Sequence, residues 1–93
     1  MGDVVNMKPY RFKGMEMPER MRASLLRYVN DRVVPGAFLR SVISNDLSSA
    51  VAMADEENLK VLPVFVCWLT NEAPSECWGS WGALRDWVEG GNK

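Results

Sequence analysis

Apolar residues recur every three or four positions along most of the chain, which is the spacing of one face of an amphipathic α-helix. Short polar or Pro/Gly-containing links separate the periodic stretches, and this organisation is typical of a compact all-α bundle. The pattern predicts five short helices: from Pro18 to just before Pro35, over residues 36–44, over residues 47–54, from a start within residues 58–60, and from just after Ser80 to Gly90.

Each predicted helix has an apolar stripe that we expect to face the core. Pro63 interrupts the fourth stripe, so that helix begins near Leu62 or is kinked, and a start at residues 58–60 with Pro63 in the first turn is favoured. The residues expected to be buried are Met21, Leu25, Tyr28, Val29; Phe38, Leu39, Val42, Ile43; Leu47, Ala50, Val51, Ala54; Leu59, Leu62, Phe65, Val66, Trp68, Leu69; and Trp81, Leu84, Trp87, Val88.

Residues 1–16 show no helical period and contain Gly2, Pro9 and Gly14. They predict an extended or flexible arm ahead of a single helical domain over residues 17–93. Tyr10 and Phe12 alternate with charged neighbours, which also fits a short strand or an aromatic contact with that domain.

Composition adds a surplus of apolar residues to this picture. The 93 residues are enough for one small domain, and 47% of them are apolar, including four tryptophans. That is ample for a core and leaves apolar surface that a partner could cover. No apolar run approaches the roughly 18 residues of a membrane span, and the N-terminus has no signal-peptide core. The sequence therefore predicts a soluble, intracellular protein that does not contact a membrane.

Charge is divided unevenly along the chain. Residues 1–40 carry eight basic and four acidic groups, a net +4, whereas residues 41–93 carry three basic and eight acidic groups, a net −5. Either the two halves complement each other within the fold, or the basic half faces an anion, or halves of neighbouring subunits meet. The pI of about 5.4 argues against a general nucleic-acid binder.

Several kinds of chemistry lack the residues that they need. The sequence contains no histidine, which removes His-based triads and acid–base pairs. Two cysteines without histidine do not make a persuasive zinc site, and no phosphate-binding glycine loop is present. We therefore expect a protein that is not an enzyme and that holds no metal and no cofactor. Cys67 lies in an apolar run and is predicted to be buried, whereas Cys77 lies in a loop and is predicted to be more exposed.

The stretch NEAPSECWGSW, residues 71–81, is the most unusual in the chain. One interpretation is a structural corner, in which Pro74 sets the turn, Trp78 packs on the core and Ser80 caps the last helix. The other is a small polar pocket at the start of that helix, walled by Trp78. Helix N-termini attract anions and indoles stack on bases, so a nucleotide-like ligand would suit such a pocket.

Two further segments combine polar residues that are common at binding sites. Arginine and tyrosine on the first helix are typical of interface hot spots, although they also occur on ordinary solvated faces. Asn45 and Asp46 are either a turn and a helix cap or a pair of ligand contacts. Together with the corner, the candidate binding residues are Arg27, Tyr28, Arg32, Asn45, Asp46, Asn71, Glu72, Ser75, Trp78 and Ser80.

Three motifs in residues 18–88 carry a resemblance to a known family. They are R-Y-x-x-x-R-x-x-P-G-x-F-L beginning at Arg27, N-D-L beginning at Asn45, and N-E-x-P-x-x-x-W-G-S beginning at Asn71. The chain resembles, over this range, a family of small uncharacterised proteins encoded by tailed bacteriophages and prophages. The resemblance implies a phage setting and the host bacterial cytoplasm as the location, and it implies no mechanism.

These observations predict a non-enzymatic phage accessory protein that blocks or sequesters a host component, in anti-defence or host takeover, through a surface for a protein partner. Two alternatives stay open: a sponge for a nucleotide-type signal bound near residues 71–80, and a structural or self-assembling phage protein with no ligand. The apolar surplus and the split charge also predict a homo-oligomer, for which a cyclic dimer is the default.

Overall fold

The chain folds into a small β-hairpin followed by six α-helices in the computed structural model, which describes residues 9–90. The strands are β1 (Arg11–Phe12) and β2 (Met15–Glu16). The helices are α1 (Glu19–Asp31), α2 (Ala37–Ile43), α3 (Leu47–Met53), α4 (Glu56–Lys60), α5 (Leu62–Glu72) and α6 (Trp81–Gly90), with a 3-10 turn at Ser75–Cys77. The predicted helical character is confirmed, but the expectation of a purely all-α bundle of five helices is wrong.

The hairpin occupies part of the segment predicted as an extended arm. Lys13 and Gly14 have φ angles of 50° and 80°, and two positive φ values in a two-residue loop are typical of the tight turns that match the twist of antiparallel strands. Phe12 pairs with Met15 across the hairpin, and both pack against the helical core. The rest of the predicted arm, residues 1–8, lies outside the described residues.

The sixth helix arises because the predicted fourth helix is divided at Val61. Asp55 begins α4 as its cap, since its Oδ1 accepts a hydrogen bond of 2.8 Å from the amide of Asn58. Pro63 has no amide hydrogen to continue that helix, and it lies instead in the first turn of α5, where none is needed. The favoured start at residues 58–60 is therefore wrong, and the start near Leu62 is confirmed.

The core lies between the inner faces of α1, α2, α5 and α6. Its largest fully buried side chains include Trp68, Tyr28 and Phe65, and the rings of Phe38 and Phe65 meet edge to face with centroids 5.2 Å apart. The radius of gyration is 12.4 Å, close to the roughly 12 Å expected for a compact chain of this length. Among residues 9–90, no helix reaches the length and apolarity that a membrane crossing needs.

Several apolar residues that were predicted to be buried are exposed. The break at Val61 gives α5 a buried face made of Val64, Phe65, Trp68 and Leu69, which leaves Val66 exposed. Of the residues in α3, only Ala50 is buried. The wrongly predicted positions, with their exposed fractions, are Leu47 (66%), Val51 (44%), Leu59 (46%), Val66 (42%) and Trp81 (49%).

Candidate partner-binding surface

The corner between α5 and α6 is held by contacts within the chain. The Ser80 side chain caps α6, because its Oγ accepts a hydrogen bond of 2.9 Å from the Ala83 amide. Gly79 adopts a φ of 114°, which disfavours any residue with a Cβ, and its amide donates a 2.7 Å hydrogen bond to the carbonyl of Ile43. Trp78 is half-buried against the core. These contacts are the ones that a purely structural corner at residues 71–80 would make.

Cys77 and Tyr28 tie this corner to α1. The Tyr28 hydroxyl donates a buried hydrogen bond of 2.6 Å to the carbonyl of Cys77, and both side chains are fully buried. The predicted exposures of the two cysteines are therefore wrong: Cys77 is buried, and Cys67 is only half-buried. Cys77 is the last residue of a single turn of 3-10 helix that directs its side chain inward, a geometry that apolar periodicity does not reveal.

Arg32 secures α6 to the end of α1. Its Nη1 donates a 2.8 Å hydrogen bond to the carbonyl of Trp87, and its guanidinium carbon lies 3.7 Å from the centre of the Trp87 ring. The Trp87 indole in turn donates a 3.0 Å hydrogen bond to the carbonyl of Tyr28. Tyr28 and Arg32 are thus engaged in folding contacts, whereas Arg27 is exposed and its Nη2 donates to the Ser24 hydroxyl at 3.3 Å.

Asn45 and Asp46 form the tight turn between α2 and α3. Asn45 has a φ of 59°, and the Asp46 carboxylate caps α3 by accepting hydrogen bonds from the amide and hydroxyl of Ser49. The same carboxylate accepts a 3.1 Å hydrogen bond from the indole of Trp81. These donors, the indole first, hold the pKa of Asp46 below its usual value. The Trp81 indole thus makes a side-chain hydrogen bond while about half of the residue stays exposed.

The remaining predicted residues lie on another side of the corner. Asn71 donates a 3.1 Å hydrogen bond to the Sγ of Cys67, which also lies 3.3 Å from the Tyr10 hydroxyl. Glu72 and Ser75 are exposed. The ten candidate residues thus divide among the end of α1, the α2–α3 turn, the end of α5 and the corner between α5 and α6, and the described contacts do not bring them together in one cleft around Trp78.

An open apolar groove of about 470 Å³ lies between the hairpin, α3 and α5. Its volume is within the range of small ligand-binding clefts, but its eight lining residues include no charged side chain. The apolar groove is lined by Phe12, Leu47, Leu62, Pro63, Val66, Cys67, Thr70 and Asn71. Of the candidate residues predicted from the sequence, only Asn71 lines it.

A smaller cavity adjoins the apolar groove. This cavity, of about 30 Å³, shares Leu47, Leu62 and Val66 with the groove and extends to Asp46. Asp46, which lines the smaller cavity, also accepts the hydrogen bond from the Trp81 indole, so the exposed tryptophan is joined to one lining residue of that cavity. The helices that provide the shared residues carry almost no charge: α3 has no charged residue, and α5 has only Glu72 at its last position.

The residues of the apolar groove were not identified as a site from the sequence, because they were assigned to the core. One signal could have found them. The sequence LSSAVAM of α3 offers Ala50 as its one small buried contact, whereas Leu47 and Val51 fall four residues apart on a face without any charge. A short uncharged helix with two apolar faces predicts that one of them is covered by something other than the core.

The described part of the chain offers no metal site, since no three cysteine or acidic side chains lie close enough together to hold an ion. Cys77, the buried thiol, is also unsuited to nucleophilic chemistry, because burial raises its pKa to about 11. Comparisons of the chain with protein-family models, with curated proteins and with solved structures found no match. The surface geometry is therefore the main guide to function.

Alkaline pH should destabilise the fold through Cys77 and Tyr28. Burial raises the pKa of Cys77 from 9.0 to about 11 and raises the pKa of Tyr28 as well, so the folded chain keeps both protons to a higher pH than the unfolded chain. Their stabilising contribution is complete below the unfolded pKa of the thiol, 9.0, and is lost as the pH rises through the folded pKa values. The urea midpoint of unfolding should be lower at about pH 10.5 than at about pH 8, and Cys77→Ala should reduce this difference. Equal midpoints at the two pH values would contradict this account.

Proposed function

We propose that this chain is a non-enzymatic accessory protein of a tailed phage that binds and blocks a host protein in the bacterial cytoplasm, in anti-defence or host takeover. The resemblance of residues 18–88 to small phage proteins supports the setting. The apolar groove is the single observation that supports a protein partner. A contiguous exposed apolar patch on a small protein is typical of an interaction surface.

The surface next to the apolar groove has the composition of a protein interface. Trp81 offers a large aromatic contact, and its hydrogen bond to Asp46 orients it before binding, which limits the entropy lost when a partner docks. Leu47, which lines both the apolar groove and the smaller cavity, has 66% of its surface exposed. Tryptophan is enriched among the residues that dominate binding energies, and the centres of interfaces are depleted of charge.

The same geometry gives less support to a nucleotide sponge at the corner. The Ser80 hydroxyl and the Asp46 carboxylate are already used as helix caps, and the Arg32 guanidinium already binds the carbonyl and ring of Trp87. A phosphate ligand would have to replace these contacts. The apolar groove offers such a ligand no cation, since none of its lining residues is charged.

Native mass spectrometry of the chain recovered from bacterial cells tests the proposal. We expect a complex with one host protein in a fixed ratio. An added mass of a few hundred daltons per subunit would instead indicate a sequestered small molecule. A homo-oligomer that carries nothing else would favour a structural or self-assembling protein, and either of these results would overturn the proposed host protein.

A further inference from the structure

Helix α5 has two faces, and only one of them packs on the core. The buried face consists of Val64, Phe65, Trp68 and Leu69. The other face lines the apolar groove and consists of Leu62, Pro63, Val66, Cys67, Thr70 and Asn71. A helix without a charged face is normally covered on all sides, so a partner that lies along α5 would complete its packing.

The groove face of α5 has the geometry on which a second helix packs. Its residues form two rows with a spacing of four: Leu62, Val66 and Thr70 in one, and Pro63, Cys67 and Asn71 in the other. Rows of this spacing are the ridges into whose furrows the side chains of a neighbouring helix fit. From residue 62 to residue 71 the rows rise about 14 Å, which a partner helix of about three turns would cover.

An extended peptide would leave its backbone unpaired over this face. Most amides and carbonyls of α5 are used within the helix, and the strands of the hairpin are only two residues long, so the groove offers few backbone partners. The Thr70 hydroxyl donates a 2.9 Å hydrogen bond to the carbonyl of Val66, and the Asn71 amide group is bonded to Cys67 Sγ at 3.1 Å. Unpaired backbone groups over an apolar surface are costly. An α-helix pairs its own backbone groups, so it can cover the groove without these partners.

The charges at the groove favour a basic residue at one end of the partner helix. Glu72 follows Asn71 directly, is exposed, and forms no ion pair within residues 9–90. The last turn of α5 contains no basic residue, so the negative end of the helix dipole adds to this charge. The Lys13 ammonium lies instead at the hairpin, 5.4 Å from the centre of the Phe12 ring. A lysine or arginine is therefore expected opposite Glu72 and not along the whole partner helix.

We infer that the segment that enters the apolar groove is an amphipathic α-helix of the host protein, about three turns long, with a lysine or arginine opposite Glu72. Its apolar residues recur every three or four positions and pack between the two rows of α5. This inference rests on the proposed function and specifies which kind of host segment is bound.

Hydrogen exchange of the host protein, alone and in complex with the full chain, tests this inference. One contiguous host segment should become protected, with apolar residues every three or four positions and a basic residue at one end. A synthetic peptide of that segment should bind the full chain and gain α-helical circular dichroism on binding, because so short a helix is marginal in water by itself. Protection spread over separate segments, or a peptide that binds without a gain in helicity, would overturn the inference and leave the proposed function standing. Absence of any host complex would overturn both.

Glu72→Gln and Glu89→Gln test the basic residue of the peptide. Glu89 is exposed on α6 and does not line the groove, so it is the matched control. Glu72→Gln should weaken peptide binding by about twofold to fivefold and reduce its dependence on salt, the usual size of one exposed ion pair. Glu89→Gln should leave the affinity unchanged. Equal affinities of the two variants would contradict a basic residue opposite Glu72.

Discussion

Val66→Asp should abolish binding of the protein partner while the chain still folds. Val66 lies in the shared wall of the apolar groove and the adjoining cavity, and 42% of it is exposed, so a carboxylate there stays hydrated in the free chain. A partner that covers the groove would remove that charge from water without offering it a counter-charge. We expect affinity to fall by roughly 100-fold or more, as for a central interface residue, measured by quantitative co-purification from bacterial cells.

Val33→Asp is the matched control for this change. Val33 has 47% of its surface exposed, lies in the link between α1 and α2, and does not line the apolar groove. The substitution introduces the same carboxylate at a position outside the apolar groove, so this variant should retain the partner. The free energy of unfolding should change by less than about 1 kcal/mol in both variants. Equal loss of the partner in both, or in neither, would contradict the assignment of the groove.

Trp78→Ala and Trp81→Ala should separate folding from binding at the corner. Trp78 is half-buried against the core, so its removal should lower the free energy of unfolding by about 2–4 kcal/mol, somewhat less than a fully buried aromatic. Trp81 is half exposed, and its indole bonds an exposed carboxylate, so its removal should lower that free energy by less than about 1 kcal/mol. Partner affinity should nonetheless fall by roughly tenfold or more in Trp81→Ala.

Urea unfolding together with co-purification distinguishes the outcomes for the two tryptophans. A stable Trp78→Ala variant that loses a bound ligand would favour the pocket interpretation of residues 71–80 and contradict the structural one. A Trp81→Ala variant that keeps its partner at full strength would remove this residue from the binding surface. In that event the apolar groove alone would have to provide the interface.

The starts of several helices could be predicted because local chemistry determines them, although the break at Val61 was not predicted. Pro18 precedes α1, and the side chains of Asp46, Asp55 and Ser80 each accept the amide hydrogen bond that begins the following helix. Each of these contacts joins residues three positions apart. Short-range patterns therefore contain the needed information.

The exposure of apolar faces could not be predicted in the same way, because it depends on which elements cover them. Helical periodicity places Leu47 and Val51 on one stripe of α3, but it does not distinguish a stripe that meets the core from one that meets solvent. The hairpin turn was missed for a different reason. Lys13 adopts a positive φ angle that is uncommon for lysine, and Lys-Gly is a weaker turn signal than Asn-Gly.

The candidate site shows the same division between local and tertiary information. The sequence drew attention to residues 71–80 because turn and cap residues are concentrated there, and the structure uses Ser80 and Gly79 for local and tertiary hydrogen bonds within the chain. The apolar groove joins the hairpin, α3 and α5, which are distant in sequence. A local pattern such as the uncharged sequence of α3 could mark one wall of the groove, but it could not show that the three elements meet.

Thiol labelling of Cys67 tests the central claim most directly, because this half-buried thiol lines the apolar groove. Cys77 is fully buried and provides an internal reference that should remain unlabelled in the folded chain. The free chain should react with iodoacetamide at Cys67, and the same chain in complex with its host protein should be protected there. Equal labelling of Cys67 in the free and bound chain would contradict binding through the apolar groove.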